Sequence, residues 1–512
     1  MSNKASHHLF DLIKSLSKSE KRYFKLYSSR HTIGEENGYL RLFDFIDRMD
    51  TYQEDLIYMH FKDQPLLNKF SITKARLYNN ILKSLNAYYA SSSIDAQLFQ
   101  SLHCADILFN KGLYKQCEKV LRSAEKQAKK NERYVILMEI KQQQRKLVEN
   151  EFYTDFKSGE IERMLQEEKT LIDEIETHTR LWHVKSMVFR EINLRGNVRN
   201  EQGAEKLKNL VERIETIDLR LYSDRVNYLY HHIHSAYYFS INDLENSYQH
   251  LRANLKLSED SAIVFKDRPN VYFSVLTNII YIATQLKKYD EAQAYLIKLK
   301  QQEEINKKEK SLDIDMKYFS STVSLELFLL IEKGEYEKGL DLIPKIAEGY
   351  ELYGDSISSL RKAYIDFKVG IIYLSLGEYT KALAWMNQIL NESKIDHHQD
   401  IFCFAQLISL ILHVELENKR YLPYAINSTK RYLKNKESVY EFESVFLKAI
   451  SKMSKAEDIF DLEEKLIPFE KELERLKNDP KEQAVFEYFD FHIWLKSKLS
   501  RKSFLEMKRA VA

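Results

Sequence analysis

The length, composition and charge of the chain exclude several fold classes before any motif is considered. Of its 512 residues only 12 are Gly and 6 are Pro, well below average usage. Tight hairpins, barrel corners and nucleotide-binding loops need residues that tolerate positive φ, so the composition excludes β-sandwiches and many-stranded barrels and disfavours Rossmann-type enzymes. With 44% hydrophobic residues, 30% charged residues and a net charge of +2, the chain is predicted to be all-α, without a global attraction to nucleic acid or anionic membranes.

The sequence carries no apolar segment that would direct it to a membrane. The first residues form no long apolar stretch, and the longest nearly uncharged run, 401–414, is too short to span a bilayer. Three cysteines without a C-x-x-C pair do not suit a disulfide framework. We therefore expect a cytoplasmic protein without a membrane partner.

Residues 1–92 are predicted to form a helical head of four short helices. The first carries Leu9 to Leu16 and continues past Ser17, and the second carries Leu40 to Ile46. A third helix ends before Pro65, and a fourth opens at Ser71. Four short helices that end in a basic one are similar to helix-turn-helix modules.

The fourth head helix offers a candidate nucleic-acid contact. Lys74, Arg76, Asn79 and Lys83 carry side chains that can contact phosphates and base edges. An amphipathic helix normally turns its basic residues to water, and residues 1–90 have a net charge of only +4. Solvent exposure is therefore the favoured interpretation, and nucleic-acid binding by the head is the alternative.

Residues 93–477 repeat a short phrase in which a helix end is followed by a small or polar break, an aromatic residue and a small residue. The steps between its occurrences are 38 to 47 residues, with a mean of about 43, which two helices of 15–20 residues with two short turns would fill. Its centres are Tyr114, Ile161, Ala204, Leu244, Tyr289, Tyr336, Tyr379, Tyr421 and Ile459.

The residue types give each position in the phrase a structural role. Gly334 and Gly377 are predicted to end the first helix of a pair in the left-handed conformation. Tyr336 and Tyr379 would then begin the second helix. Ala382 and its counterparts Ala292 and Gly339 would lie where the two helices cross closely.

These residues resemble the tetratricopeptide (TPR) superfamily. The best match lies between Ala363 and Leu390, and it contains Gly370, Tyr373, Gly377, Tyr379 and Ala382 in the TPR spacing. The period is longer than the TPR value of 34. The resemblance implies a superhelical solenoid of α-hairpins whose first helices face a concave groove. The whole chain also resembles bacterial TPR proteins with a short helical head, and that likeness implies no activity.

The groove implied by the resemblance would be polar where the first helix before Tyr289 lines it. The groove-facing residues of that helix are predicted to be Ser274, Thr277, Asn278, Tyr281, Thr284 and Gln285. In the next two first helices the stripe continues through Ser321, Ser324 and Phe328, then Tyr364, Phe367 and Lys368. We expect these side chains to bind an extended peptide or a partner helix.

Residues 478–512 are predicted to close the repeat array. Pro480 breaks the preceding helix, and Val485, Phe486, Phe489, Ile493 and Trp494 give the next segment an apolar side. A terminal repeat needs a cover. The segment is therefore expected to form a C-terminal capping helix with a solvated basic tail.

No motif of a known catalytic class is present. The chain lacks G-x-x-x-x-G-K-[ST], G-x-G-x-x-G, G-x-S-x-G and H-E-x-x-H. His231 and His234 would share a helix face, and His397 and His398 lie in a polar loop, but neither pair has a third ligand at a fixed spacing. We expect no catalytic residue, no metal and no cofactor.

Three functions remain open at this point. The favoured one is a non-enzymatic scaffold that binds a protein or peptide in the concave face of the solenoid. The alternative is a regulator with a nucleic-acid-binding head and a ligand-sensing repeat domain. A metal-dependent hydrolase that uses the histidine clusters is the third.

Overall fold

The regular structure of the chain is helical throughout the part that a computed structural model describes. The described residues are 7–29, 38–91, 93–150, 159–195, 201–261, 269–306, 312–392, 400–434, 441–455, 459–479 and 482–511. No β-strand occurs within these ranges. The contacts divide the chain into two compact units, Met1–Ile175 and Glu176–Ala512, so the predicted head belongs to the same unit as the first hairpins.

The head contains five α-helices rather than the four predicted. They are α1 (His8–Ser15), α2 (Lys18–Ser29), α3 (Gly38–Arg48), α4 (Glu54–His60) and α5 (Phe70–Tyr88). The expected continuation of the first helix past Ser17 is wrong. The Ser17 amide donates to the Glu20 carboxylate at 2.6 Å, and the Glu20 amide donates to the Ser17 hydroxyl at 3.3 Å. This reciprocal capping box begins α2 as a separate helix.

The rest of the first unit is made of helical hairpins. Its helices are α6 (Ile94–Asn110), α7 (Tyr114–Lys130), α8 (Tyr134–Asn150) and the first part of α9 (Glu160–Arg195). Leu98, Leu121 and Ile140 are fully buried between them. Lys141 of α8 joins its neighbours, because its ammonium lies 2.8 Å from Glu125 of α7 and 2.9 Å from Glu167 of α9.

The helix α9 takes two positions of the repeat without a break. Its residues beyond 175 pack through Leu181 and Val188 against Leu207 of α10 (Glu201–Val211). The helix runs without interruption from Glu160 to Arg195. The end of one pair and the beginning of the next thus form one continuous helix.

The second unit continues with six successive hairpins. Their helices are α11 (Asp224–Ser240), α12 (Leu244–Asp260), α13 (Pro269–Gln285), α14 (Tyr289–Asn306), α15 (Leu312–Glu332), α16 (Tyr336–Leu340), α17 (Ile343–Tyr353), α18 (Ser359–Ser375), α19 (Tyr379–Asn391), α20 (Asp400–Glu415), α21 (Leu422–Lys434), α22 (Glu441–Met453) and α23 (Ile459–Lys477). In the third of these hairpins, α16 and α17 together form the second helix. The predicted repeat centres lie within three residues of the helix starts, which confirms the TPR-like hairpin architecture.

The six hairpin turns that the structure describes in full share one backbone geometry. The second residue after the first helix has positive φ, and the next amide donates to the carbonyl five residues earlier, as from Glu378 to Tyr373 at 2.9 Å. This is the Schellman motif, which satisfies the free carbonyls at a helix end. The positive-φ residues are Gly112, Asn242, Lys287, Gly334, Gly377 and Glu417. The predicted left-handed roles of Gly334 and Gly377 are confirmed.

Small residues allow the two helices of a hairpin to approach each other. A Cβ added to Gly370 of α18 would lie 2.4 Å from the Cε of Met386 in α19, and Ala382 is fully buried at the same crossing. A Cβ at Gly339 would lie 2.5 Å from Ile372. The close crossings predicted at Ala292, Gly339 and Ala382 therefore fall at buried positions.

The prediction of a single capping helix at the C-terminal end is wrong. Residues 482–511, called the C-terminal arm below, form a 3₁₀ turn (Gln483–Glu487), α24 (Phe491–Ser500) and α25 (Phe504–Val511). The arm covers the last hairpin, where Phe491 contacts Phe442 with ring centroids 4.5 Å apart. It also runs back across earlier first helices, as the contacts of Glu487 and Tyr488 described below show.

The basic tail of the arm is solvated in part, as Arg501, Lys502 and Arg509 are exposed and Lys508 is partly buried. The ammonium of Lys508 lies 3.4 Å from Asp490 within the arm. The guanidinium of Arg509 lies 2.8 Å from Glu337, which follows the hairpin turn between α15 and α16. Arg509 therefore joins the tail to the repeat, whereas Lys508 pairs within the arm.

Candidate functional site

The first helices α13, α15 and α18 present polar and aromatic side chains around two adjoining cavities that share Tyr281 and Tyr364. The cavities have volumes of about 340 Å³ and about 300 Å³. This surface is called the groove below. The groove residues of the three helices are Thr277, Asn278, Tyr281, Ser320, Ser321, Ser324, Leu325, Phe328, Ile331, Glu332, Arg361, Tyr364, Phe367, Lys368 and Ile371.

The smaller cavity offers hydrogen-bonding side chains from all three helices. Thr277 and Asn278 belong to α13, Ser321 belongs to α15 and Arg361 belongs to α18. Arg361 donates to the hydroxyl of Ser320 at 3.2 Å. Hydroxyl, amide and guanidinium groups can pair with the backbone amides and carbonyls of an extended chain.

The larger cavity has aromatic walls. The rings of Tyr281 and Phe328 stack with centroids 5.1 Å apart. The Tyr281 hydroxyl donates to Glu487 of the C-terminal arm at 2.9 Å and accepts from Gln285 at 3.3 Å. Burial, and then the nearby negative charge of Glu487, raise the pKa of the Tyr281 hydroxyl, so it remains a neutral donor at ordinary pH.

Lys368 is a partly buried cation in the wall of the larger cavity. Its ammonium donates to the carbonyl of Ser324 at 3.2 Å and lies 4.8 Å from the Phe328 ring centroid. Burial lowers the pKa of Lys368 to about 8, and the negative charge of Glu332 opposes this effect. The charged form is therefore held by a carbonyl, a ring face and a carboxylate at longer range.

Three carboxylates, those of Glu332, Glu487 and Asp490, line this same cavity. Burial raises the pKa of Glu332, while the positive charge of Lys508 acts in the opposite direction. Desolvation by the surrounding protein also raises the pKa of Glu487, and the negative charge of Glu332 raises it further. The cavity therefore brings three carboxyl groups together with the ammonium groups of Lys368 and Lys508.

Nine of the twelve predicted groove residues line the two cavities. They are Thr277, Asn278, Tyr281, Ser321, Ser324, Phe328, Tyr364, Phe367 and Lys368. Gln285 contributes indirectly through Tyr281, and Ser274 accepts a hydrogen bond from Thr277 through its backbone carbonyl at 3.1 Å. The predicted groove position of Thr284 is wrong, because its side chain is fully buried and donates to the carbonyl of Ile280.

Some groove residues were missed by the sequence analysis, and local periodicity holds a signal for one of them. The repeat step from Tyr289 to Tyr336, added to Gln285, leads to Glu332 at the end of the next first helix. The arm residues Glu487 and Tyr488 have no such signal, because their contacts join positions far apart in the chain.

Not all of the predicted nucleic-acid-contacting side chains of the head are exposed to solvent. Lys74 forms an ion pair with Glu54 at 2.9 Å and lies 4.8 Å from the Phe70 ring centroid. Arg76, Asn79 and Lys83 are exposed on α5. Nucleic-acid binding by this helix stays a prediction.

The histidine pairs have different outcomes. His231 and His234 of α11 meet His250 of α12, with 2.9 Å between the Nδ1 atoms of His231 and His250. Within the described ranges, no group of three or more His, Cys, Asp or Glu side chains is arranged to hold a metal ion. His397 and His398 lie outside the described residues. None of the helices in the described ranges has the length and apolar character needed to cross a membrane.

Among known proteins, the chain is similar to solved structures. No family model and no curated protein matches the chain. The apo form of the quorum sensor NprR from B. thuringiensis is 15% identical, with 69% of this chain and 92% of that chain covered and a TM-score of 0.45.

Two further solved structures are similar to this chain. NprR in complex with its cognate peptide NprX is 16% identical, with coverage of 66% of this chain and 94% of that chain and a TM-score of 0.38. The apo form of RapI is 14% identical, with coverage of 80% and 99% and a TM-score of 0.39. The TPR-like fold of the present chain follows from its own hairpins and turns.

Proposed function

We propose that the protein is a non-enzymatic scaffold that binds an extended peptide or a partner segment in the groove. The observation that carries this proposal is the set of hydroxyl, amide and aromatic side chains that α13, α15 and α18 present around two adjoining cavities. Polar groups at regular spacing can pair with a peptide backbone, and the aromatic walls can receive its side chains.

The groove is suited to recognition because contacts with neighbouring residues fix its side chains before a ligand binds. Thr277 donates to the carbonyl of Ser274 at 3.1 Å, and Arg361 donates to Ser320. Tyr281 is fixed between the Phe328 ring and the Gln285 amide. Side chains that are already ordered lose less conformational entropy when a ligand binds.

A selected peptide tests this proposal directly. A random library of 12-residue peptides is selected on the full chain, and the affinity of enriched peptides is measured by fluorescence anisotropy. Replacing Thr277→Ala and Asn278→Ala together removes two hydrogen-bonding groups from the groove. We expect affinity to fall about tenfold, because two hydrogen bonds contribute roughly 1–3 kcal/mol.

The matched control places the same substitutions on an exposed second helix. Thr380→Ala with Asn387→Ala changes the same residue types on α19, where both side chains are exposed. This variant should bind the peptides as the unaltered chain does. The proposal fails if no peptide is enriched, or if the groove variant binds as tightly as the control.

A further inference from the structure

The middle of the C-terminal arm lies in the groove as a peptide would. Residues 486–490 read Phe-Glu-Tyr-Phe-Asp, and all five line the larger cavity opposite the first helices. Glu487 accepts the hydrogen bond from Tyr281, which lies 206 positions earlier in the chain. This segment thus meets a helix that is remote in sequence and belongs to the proposed binding surface.

Tyr488 fills an aromatic slot formed by two first helices. Its ring stacks on Phe404 of α20 with centroids 4.0 Å apart and planes inclined by 15°. Its other neighbour is Phe367 of α18, whose ring lies 6.0 Å away in an edge-to-face arrangement. The slot therefore recognises the aromatic ring.

Glu487, the acidic residue beside Tyr488, has fewer stabilising contacts than the ring of Tyr488. Glu487 receives the Tyr281 hydroxyl, but Glu332 raises its pKa further through like-charge repulsion. Among the described residues, no Lys, Arg or His forms an ion pair with Glu487 within 4 Å. The ring of Tyr488 and one hydrogen bond to Glu487 therefore hold the middle of the arm against the first helices.

Both flanks of this segment are firmly attached to the repeat. Before it, the Glu482 carboxylate accepts from the backbone amides of Glu441 and Phe442 at 2.9 and 3.1 Å. After it, Trp494 is buried against Phe446 and donates to Glu415 at 2.8 Å. A short segment anchored on both sides has a high effective concentration at its own site.

From these contacts we infer that residues 486–490 act as an internal ligand of the groove. They occupy the subsites of an incoming peptide whose sequence has an aromatic–acidic–aromatic pattern. The arm and such a peptide therefore compete for the groove. The inference rests on the proposed function of the groove and names the chemistry of its ligand. Tyr281 would receive the acidic side chain of the peptide, and the slot between Phe367 and Phe404 would receive the aromatic ring.

The experiment uses a labelled synthetic peptide spanning residues 482–491 and the full chain. Tyr488→Ala empties the aromatic slot in the arm, and the flanking anchors remain. We expect this variant to bind the peptide about two- to tenfold more tightly than the unaltered chain, since the arm loses the stacked aromatic pair with which it competes. Adding Tyr281→Phe to this variant should weaken peptide binding again, because the hydrogen bond to the acidic side chain is lost.

Controls separate competition from general loosening of the fold. Tyr424→Ala makes the same change at a side chain of α21 that is 74% exposed, and it should leave peptide affinity unchanged. A peptide that carries Ala in place of Tyr488 should not bind. Circular dichroism of each variant verifies that its helical content is retained.

The outcomes distinguish this inference from the proposed function. Equal affinity of the peptide for the unaltered chain and the Tyr488→Ala variant overturns the inference, as does an absence of binding to both. If library peptides still bind in a way that depends on Thr277 and Asn278, the proposed function stands without it. If the arm peptide binds but no library peptide is enriched, the groove serves the arm alone and the proposed function is wrong.

Discussion

Four histidines on α11 and α12, His231, His232, His234 and His250, have a pKa that burial lowers, so they stay neutral at ordinary pH. Burial, with the neighbouring His250 as a second cause, lowers the pKa of His231 to about 4, and the same causes lower the pKa of His234 to about 3. An unfolded histidine titrates near pH 6.5. Below that pH the unfolded chain binds more protons than the folded chain, so stability is complete above pH 6.5 and is lost as the pH falls.

His234→Phe should make folding less sensitive to acid. Neither ring nitrogen of His234 has a hydrogen-bond partner among the described residues, and its ring packs against Tyr230 and His250. A phenyl ring keeps these contacts without a site for a proton. We expect the decline in unfolding free energy between pH 6.5 and 5 to be shallower by up to about 1.4 kcal/mol per pH unit.

Urea unfolding followed by circular dichroism at pH 7.5, 6 and 5 measures this effect. The substituted chain should also be at least as stable as the unaltered chain at pH 7.5, because no hydrogen bond is removed. An identical pH dependence in the two proteins would contradict the assignment of acid sensitivity to this cluster.

At the scale of elements, the repeated turn explains how a chain so poor in glycine forms so many hairpins. Gly112, Gly334 and Gly377 supply positive φ without a steric cost, whereas Lys287 and Glu417 adopt it with side chains attached. For residues with a Cβ this conformation costs about 1–2 kcal/mol. The Schellman hydrogen bonds and the packing of the helices on both sides offset that cost.

Opposite substitutions at two equivalent turns should change stability in opposite directions. Gly377 has φ of +79° and nothing within 4 Å of an added Cβ, so Gly377→Ala should destabilise by about 1 kcal/mol through the backbone alone. Lys287→Gly relieves the same strain at φ of 58° and should stabilise by several tenths of a kcal/mol. Urea titration measures both, and equal signs would contradict a shared turn geometry.

At the scale of the whole molecule, the C-terminal arm is part of the core of the second unit. Phe491 and Trp494 are at most 1% exposed, and their rings contact Phe442 and Phe446. The terminal helix α25 contributes less, with Phe504 as its one described side chain in the core. The two parts of the arm therefore differ in their contribution to stability.

Two truncations should separate these contributions. A chain that ends at residue 481 loses both buried rings, and its C-terminal hairpins should be destabilised by about 5 kcal/mol or more. A chain that ends at residue 501 keeps them and should melt within a few degrees of the full chain. Thermal unfolding monitored by circular dichroism gives both values, and similar melting of the two truncated chains would disprove the difference.

The sequence predicts the repeat well because the signal is local. Tyr289, Tyr336 and Tyr379 mark helix starts within a few residues of the turn that precedes them. The sequence does not predict that α9 continues through two positions of the repeat. The repeat period indicates where turns are expected, and it does not show where one is absent. The course of the arm was missed because an apolar segment after Pro480 looks the same whether it closes an end or returns to an earlier helix. The contact of Tyr281 with Glu487 joins such distant positions and has no local pattern.

The position of the arm in the sequence has a consequence during protein synthesis. Helices α13, α15 and α18 leave the ribosome more than a hundred residues before the arm does, which corresponds to several seconds at roughly 5–20 residues per second. During that interval the arm has not yet been synthesised, so it does not cover these helices of the nascent chain. A ligand encountered during translation would therefore face no rival, whereas one that arrives after release must first expel Tyr488 from its slot.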